Sequence, residues 1–296
     1  MQTTPAQNPA LAALFILIAT AFIAGTMLIA KALGTDTFGT ALHPLQISLG
    51  RFLFAFLTIS TAALLFRPKL KRPHWGLHLG RTSFGWMGVT LMFASVAYIP
   101  LADATAITFL NPVFGMMLAI PLLSERVGPW RWLAAVIALC GAMILLRPTP
   151  ESFQPAALLA LAAALVMGME LIFIKKLTSR EAPFQILLVN NAVGLTIAAI
   201  AASFVWMPPS PSQWALMAVL GVMMAAAQTF FVNGMARADA SFVAPFSYAT
   251  LIFAAFYDLL FFDTIPDAVS LLGASTILIG AFLLAYREGL ARRRSE

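Results

Sequence analysis

Long apolar segments follow one another along almost the whole chain, and this succession constrains the fold more than any other feature. A helix that crosses a bilayer needs about 20 apolar residues, so a chain of 296 residues has room for about ten such helices with short connections. Only 10% of the residues are charged, whereas soluble domains contain about 25%. Only lipid could cover so much apolar surface, and the sequence therefore predicts an all-α, polytopic membrane protein.

The distribution of Lys and Arg orients the predicted helices. The ten predicted spans are residues 10–33, 43–66, 81–99, 102–124, 129–147, 153–177, 183–206, 212–236, 239–262 and 267–287. Positive charges, Arg81 among them, concentrate in the even-numbered connections and the C-terminal tail, whereas the other side has only Lys31 and Arg147. Because cytoplasmic loops carry the excess of Lys and Arg, we expect a multi-pass protein of the bacterial inner (cytoplasmic) membrane with both termini in the cytoplasm.

Short motifs of the first half recur in the second half in the same order. Residues 43–49 resemble residues 182–188, and an Ala-Asp-Ala sequence begins at both Ala102 and Ala238. Residues 1–148 and 149–296 are therefore predicted to be two repeats of five helices each. Because five is an odd number, the second repeat enters the membrane from the opposite side, and such inverted repeats are typical of transporters with a site at the midplane.

Local motifs resemble those of the drug/metabolite transporter superfamily, EamA type. Residues 111–114 (NPVF) and 124–126 (SER) are similar to the family's proline-then-glutamate pattern at the end of the fourth span, and Gly141 follows in the fifth. Asp263 and Gly280 occupy the equivalent places in the second half. The two predicted halves are thus EamA-like repeats.

Span nine departs from this pattern. Ser247-Tyr248 stands where the first half has Asn111-Pro112, so the two halves are expected to differ there.

The resemblance implies a central cavity, with spans five and ten at the periphery. It also implies a secondary transporter or facilitator of small metabolites that works by alternating access. The main expectation is export of amino acids or related metabolites across the inner membrane, and the alternative is uptake of a vitamin or nucleotide-like metabolite by the same fold. A passive channel and a membrane-embedded enzyme stay open as other classes, although the sequence predicts no enzyme and no catalytic residue.

Polar side chains inside the predicted spans are candidates for the site, because an ionisable group in lipid needs a cavity or a partner. The candidate substrate-binding or gating residues are Arg51, Phe93, Asn111, Glu170, Asn190, Gln228, Asn233, Tyr248 and Asp258. Structural ion pairs and interhelical hydrogen bonds are the alternative explanation for each of them.

Two of these candidates suggest a gate, and a third suggests coupling. Arg51 and Asp258 come from opposite halves at similar predicted depths, so we expect them to pair when the outer side is closed, with Lys31 as the alternative partner of Asp258. Glu170 is a carboxylate in the inner half of a span and could bind a proton or a cationic substrate group in alternation. Proton coupling is therefore a hypothesis that rests on Glu170.

The remaining motifs exclude several kinds of partner. No Gly-rich phosphate loop is present, and His74 and His78 are only two potential ligands in a basic loop. We therefore predict no cofactor and no metal. The expected partners are a small-molecule substrate and the lipid bilayer, without nucleic acid, and the oligomeric state stays open.

Overall fold

Apolar helices make up almost every described segment of the chain. The computed structural model describes residues 8–68, 70–123, 129–146, 154–178, 180–235, 237, 246 and 249–293. The helices are α1 (Pro9–Leu33), α2 (Pro44–Phe66), α3 (Trp75–Val96), α4 (Leu101–Thr108), α5 (Asn111–Leu123), α6 (Pro129–Leu146), α7 (Ala156–Thr178), α8 (Pro183–Ser203), α9 (Pro211–Met235), α10 (Ala249–Phe262) and α11 (Ala268–Arg293).

Proline marks where many of these helices begin. The helices that start with it are those at Pro9, Pro44, Pro129, Pro183 and Pro211. The ring presets the helical φ angle, and the missing N–H is one that has no partner in the first turn.

Two predicted spans differ from the observed helices in ways that bear on the site, and span ten ends at Arg293 instead of residue 287. α3 begins at Trp75 instead of residue 81, so Arg81 lies one turn and a half inside a helix rather than in a connection, and its assignment to a cytoplasmic loop was wrong. The fourth predicted span is two helices, α4 and α5, which are separated by a turn at Phe109 and Leu110. The break precedes Pro112, which has no N–H to continue the hydrogen-bond ladder of α4.

Helix packing divides the bundle into a centre and an outlying pair. α6 packs mainly on α11, as the resemblance implied for spans five and ten. In the centre, α3 packs on α7 and α8, α9 packs on α1 and α2, and α2 also packs on α8. α7 further packs on α4 and α5, whereas α10 packs on α1 and α4.

The predicted fold class is confirmed. Among the described residues, six helical segments are long and apolar enough to cross a membrane: Ala10–Leu33, Pro44–Phe66, Leu101–Leu122, Ala156–Ile174, Pro183–Ser203 and Pro211–Phe231. Many large apolar side chains lie exposed on the outside of the bundle, where they would face lipid, as Leu64 and Ile279 do. The chain is an all-α, polytopic membrane protein.

Candidate functional site

The bundle has two ends, which the connections between helices define. Face A carries the α2–α3 and α7–α8 connections, and face B carries the α1–α2 and α8–α9 connections. On face B, Gln46 Nε2 donates to the carbonyl oxygen of Met207 at 2.7 Å, and Gln213 Nε2 donates to the carbonyl oxygen of Thr40 at 2.8 Å. These bonds join the beginning of α2 to the α8–α9 connection and the beginning of α9 to the α1–α2 connection.

A cavity of about 290 Å³ lies among the central helices, on the side of face A. Residues of α1, α3, α7, α8 and α9 line it, and most of them are apolar, such as Ile186 and Phe231. Arg81 and Gln228 are the polar side chains among the lining residues. An apolar wall with a few placed polar groups is typical of small-molecule sites.

An ionic cluster adjoins this cavity inside the membrane region. Arg81 Nε lies 3.6 Å from Glu170 Oε1, and Arg81 Nη1 donates to the Ile186 carbonyl oxygen at 3.5 Å. Arg51 also interacts electrostatically with Glu170, and its guanidinium lies 4.1 Å over the ring of Phe52. A Cβ on Gly85 would lie 2.7 Å from Glu170 Oε1, so the glycine leaves room for this carboxylate. The structure thus places Glu170 beside Arg81, and Arg51 interacts electrostatically with both of them.

Uncharged polar groups extend the cluster across α8. Thr82 Oγ1 donates to Asn190 Oδ1 at 3.2 Å, and both side chains are buried. On the adjacent residue, Asn191 Nδ2 lies 3.5 Å from Gln228 Oε1, which belongs to the cavity wall. Of the predicted residues, Gln228 therefore lies in the cavity wall, whereas Asn190 precedes Asn191 in the chain and has Thr82 as its own partner.

A buried ion pair closes the bundle near face B. Lys31 Nζ donates to Asp258 Oδ1, and Asp258 Oδ2 accepts the Leu101 backbone N–H at 2.7 Å. Lys31 Nζ also lies 4.3 Å over the ring of Phe262. The expected direct pair of Arg51 with Asp258 is wrong for this conformation, because Asp258 pairs with its alternative partner and thereby joins α1, α4 and α10.

A carboxylate on face A connects two loops. Glu181 Oε1 accepts from the backbone N–H and from Nδ1 of His74 at 2.7 and 2.8 Å, and Oε2 accepts from His78 Nε2 and Gln185 Nε2 at 2.8 and 2.6 Å. We call these four residues the Glu181 clamp. Burial would raise the pKa of Glu181, but the hydrogen bonds from His74 and His78 outweigh it and lower the pKa to about 2.

The other predicted site residues lie elsewhere. Phe93 is buried in the central hydrophobic cluster, and Asn111 is the first residue of α5. Asn233 lies near the end of α9, where its Oδ1 accepts from Arg237 Nη1 at 2.9 Å. Tyr248 lies outside the described residues. None of the described three lines the cavity.

Sequence reasoning overlooked three members of these contacts. Arg81 was counted as a loop charge, although its position at the start of a predicted span, four residues before Gly85, could have indicated a buried cation facing a partner. Thr82 gave no signal beyond its place beside Arg81. Glu181 could not be connected with His74 and His78 from sequence, since they are about a hundred residues apart.

A second cavity, of about 200 Å³, lies near face B, outside the centre of the bundle. Asp103, Asp267 and Ser270 line it, and Ser270 Oγ donates to Asp103 Oδ2 at 3.0 Å. Among the described residues, no group of three or more His, Cys, Asp or Glu side chains is arranged to hold a metal ion. The cavity beside the ionic cluster is the one that lies among the central helices, and it is the candidate site.

Comparison with known proteins identifies relatives over most of the chain. A protein named S-adenosylmethionine uptake transporter from Rickettsia felis is 28% identical over 257 residues, which cover 86% of this chain and 87% of the relative. A protein named riboflavin transporter from Rhizobium johnstonii is 34% identical over 256 residues, which cover 81% of this chain and 82% of the relative. Both names describe transport.

A solved crystal structure shares the fold. It superimposes with a TM-score of 0.63 at 19% sequence identity and covers 97% of this chain and 99% of that chain. The EamA-like transporter family model matches residues 10–147 and again residues 154–286. These two matches take in nearly the whole chain, so the resemblance seen in the local motifs is confirmed, and the protein belongs to the EamA-like transporter family.

Proposed function

We propose that this protein is a secondary transporter that takes up a nucleoside-like or vitamin-like metabolite across the bacterial cytoplasmic membrane. The observation that carries the proposal is the cavity on the side of face A, beneath a closed face B, in a chain similar to an S-adenosylmethionine uptake transporter and a riboflavin transporter. These relatives favour the uptake alternative over amino-acid export. The proposal extends what their names say to the present chain.

Alternating access between two inverted halves is the proposed mechanism. Helix packing supports it, because equivalent helices of the two halves make equivalent contacts. Spans three and six are α3 and α7, their counterparts in the other half are spans eight and one, α9 and α1, and both pairs are in contact. In the same way, the contact of α2 with α9 (spans two and eight) corresponds to the contact of α8 with α3 (spans seven and three). Two halves that use equivalent contacts can exchange conformations and open a shared site to either side.

The orientation of the halves gives the two faces their roles. The excess of Lys and Arg on the side of face A favours a cytoplasmic face A, with both termini in the cytoplasm. The structure then corresponds to an inward-facing state whose outer side is closed by Lys31 and Asp258. Opening of face B would require this pair to separate, and water or substrate would have to replace its contacts.

Counterflow in proteoliposomes tests the proposal. Purified protein is reconstituted, the liposomes are loaded with an unlabelled compound, and entry of the labelled compound is followed for S-adenosylmethionine, riboflavin and a panel of amino acids. We expect saturable exchange of S-adenosylmethionine or riboflavin, without conversion of the compound. Exchange of amino acids alone would favour the export function, flux that does not saturate would indicate a channel, and a converted product would indicate an enzyme.

A further inference from the structure

The ionic cluster beside the cavity has unequal numbers of positive and negative groups. Arg81 lies beside the carboxylate of Glu170, and Arg51 interacts electrostatically with the same carboxylate. Arginine stays protonated in proteins, so the cluster has an excess of positive charge while Glu170 is ionised. Protonation of Glu170 would increase that excess.

The hydrogen-bond donors of the cluster are also incompletely used. Nε and Nη1 of Arg51 and Nε of Arg81 are buried and have no hydrogen-bond partner among the described residues. Arg51 is 4% exposed and Arg81 7%. Buried donors of charged groups are costly to leave unpaired, and an acceptor group must satisfy them in at least one state of the transport cycle.

The other carboxylates buried in the described part of the chain are already engaged. Asp258 binds Lys31 and the Leu101 N–H, and Glu181 accepts all the bonds of the clamp on face A. Neither can neutralise the cluster without giving up these partners. An acceptor from outside the protein can approach the cluster through the cavity that Arg81 lines.

We infer that the transported substrate carries an anionic group, a carboxylate or a phosphate, and that this group binds between Arg51 and Arg81. The inference rests on the proposed function and names the substrate class of the same site. Guanidinium groups suit both anions, since their N–H donors match two oxygens at once. Glu170 then lies beside the anion and can accept a cationic part of the same substrate, while the apolar wall accommodates a ring system.

Two pairs of compounds test this inference in the counterflow assay. Within each pair, one member has the anionic group and the other lacks it: S-adenosylmethionine with its decarboxylated form, and riboflavin 5′-phosphate with riboflavin. We expect the anionic member of the transported pair to exchange with an affinity about tenfold higher, as a charge-assisted hydrogen bond would give. The transported pair also tells whether the group is a carboxylate or a phosphate.

The outcomes separate this inference from the proposed function. Saturable exchange in which the member without the anionic group is handled equally well, or better, overturns the anion site and leaves the transporter intact. If none of the four compounds and none of the amino acids exchanges, the proposed function fails, and the inference that rests on it fails as well.

Variants of Arg51 provide a second readout. Arg51→Gln should raise the half-saturation concentration of the member with the anionic group about tenfold, whereas that of the member without this group should stay the same. Arg51→Lys keeps the charge and should retain part of the preference. Arg72→Gln, on the exposed α2–α3 connection, is the matched control and should behave as the wild type. An unchanged preference in monodisperse Arg51→Gln would overturn the role of Arg51, and if that variant does not fold, the paired compounds on the wild type decide.

Discussion

Charged side chains within a membrane bundle differ in how completely their neighbours satisfy them. Lys31 and Asp258 satisfy each other, and Asp258 also accepts a backbone N–H. Arg51, by contrast, stacks on a ring and leaves two buried nitrogens without a hydrogen bond among the described residues. A fully satisfied pair holds helices together, whereas an incompletely satisfied cation is suited to bind a ligand.

The effects of replacing Lys31 and Asp258 on the free energy of unfolding should be strongly coupled. Asp258→Ala leaves a buried ammonium without a partner and should destabilise the protein by about 3–5 kcal/mol, and Lys31→Ala should have a similar effect. The double variant should lose much less than the sum, although the freed Leu101 N–H still costs about 1–3 kcal/mol. Thermal unfolding of the four proteins in detergent measures this coupling, and additive losses would contradict the pair.

Glu170 is the residue at which proton coupling can be tested. Its carboxylate lies beside Arg81, which lines the cavity, so a proton and a cationic substrate group could compete for it. Glu170→Gln should make the rate of transport independent of pH while the protein stays folded. Glu181→Gln changes a carboxylate of the Glu181 clamp, away from the cavity, and is the matched control that should keep the pH dependence. A pH dependence that survives in Glu170→Gln would remove Glu170 from coupling.

Small residues allow the helices of this bundle to approach closely, and α6 and α11 are the clearest example. A Cβ on Gly141 of α6 would lie 2.6 Å from the backbone nitrogen of Ile277 and 2.8 Å from the carbonyl oxygen of Gly273 on α11. Backbone atoms cannot move aside as a flexible side chain can. The outlying helix pair therefore depends on the absence of a side chain at Gly141.

Gly141→Ala should push α6 and α11 apart. We expect a loss of about 1–3 kcal/mol, which is typical of overpacking, and a lower melting temperature in detergent. Gly76→Ala is the matched control, since a Cβ at Gly76 meets nothing within 4 Å. Equal melting temperatures for the two variants would show that α6 and α11 tolerate a wider separation.

The Glu181 clamp should make stability depend on pH in the acid range. Because the pKa of Glu181 is lowered from 4.5 to about 2, its contribution is complete above about pH 4.5 and is lost as the pH falls to about 2. Its size is on the order of 2 kcal/mol, after allowing for the half-exposed His74, whose share water screens.

Glu181→Gln therefore should lower the melting temperature at neutral pH, and its difference from the wild type should shrink as the pH falls below 4.5. Melting curves at several pH values measure this. Asp263→Asn is the matched control, because Asp263 is an exposed carboxylate at φ 50°, a conformation that Asn also adopts. A Glu181→Gln difference that stays constant with pH would exclude the clamp as its source.

At the scale of the whole molecule, the two faces differ in what closes them. Face B is held by the Lys31–Asp258 pair and by the hydrogen bonds of Gln46 and Gln213 with its connections, while the cavity lies on the side of face A. An alternating-access transporter needs such an asymmetry, and the opposite state must reverse it.

The orientation of the two faces can be measured by thiol labelling on intact cells. Cys140, the single cysteine, is exposed on α6, so it is first replaced by Ser. Ser212→Cys on face B should then react with a membrane-impermeant thiol reagent, whereas Arg180→Cys on face A should react only after the cells are opened. Both residues are exposed. Labelling of position 180 but not of position 212 in intact cells would reverse the assignment.

The sequence by itself determined the fold class and the family, because these depend on local properties. The apolar segments fix the number of helices that lipid can accept, and starts such as Pro44 and Pro183 follow from the geometry of one residue. Candidates such as Arg51, Glu170 and Asp258 were also found from sequence, since a charge in a span is unusual wherever it points.

Only the tertiary structure decided which of these charges meet. Helix rotation cannot be read from a segment that is apolar on every side, so Asp258 was expected to pair with Arg51, although its partner is Lys31. α3 begins at Trp75 and packs against α7 and α8, and Arg81 therefore lies inside the bundle beside Glu170. Contacts between residues about a hundred positions apart, such as Glu181 with His78, arise from the way helices pack, because that packing sums many weak side-chain contacts that no local pattern records.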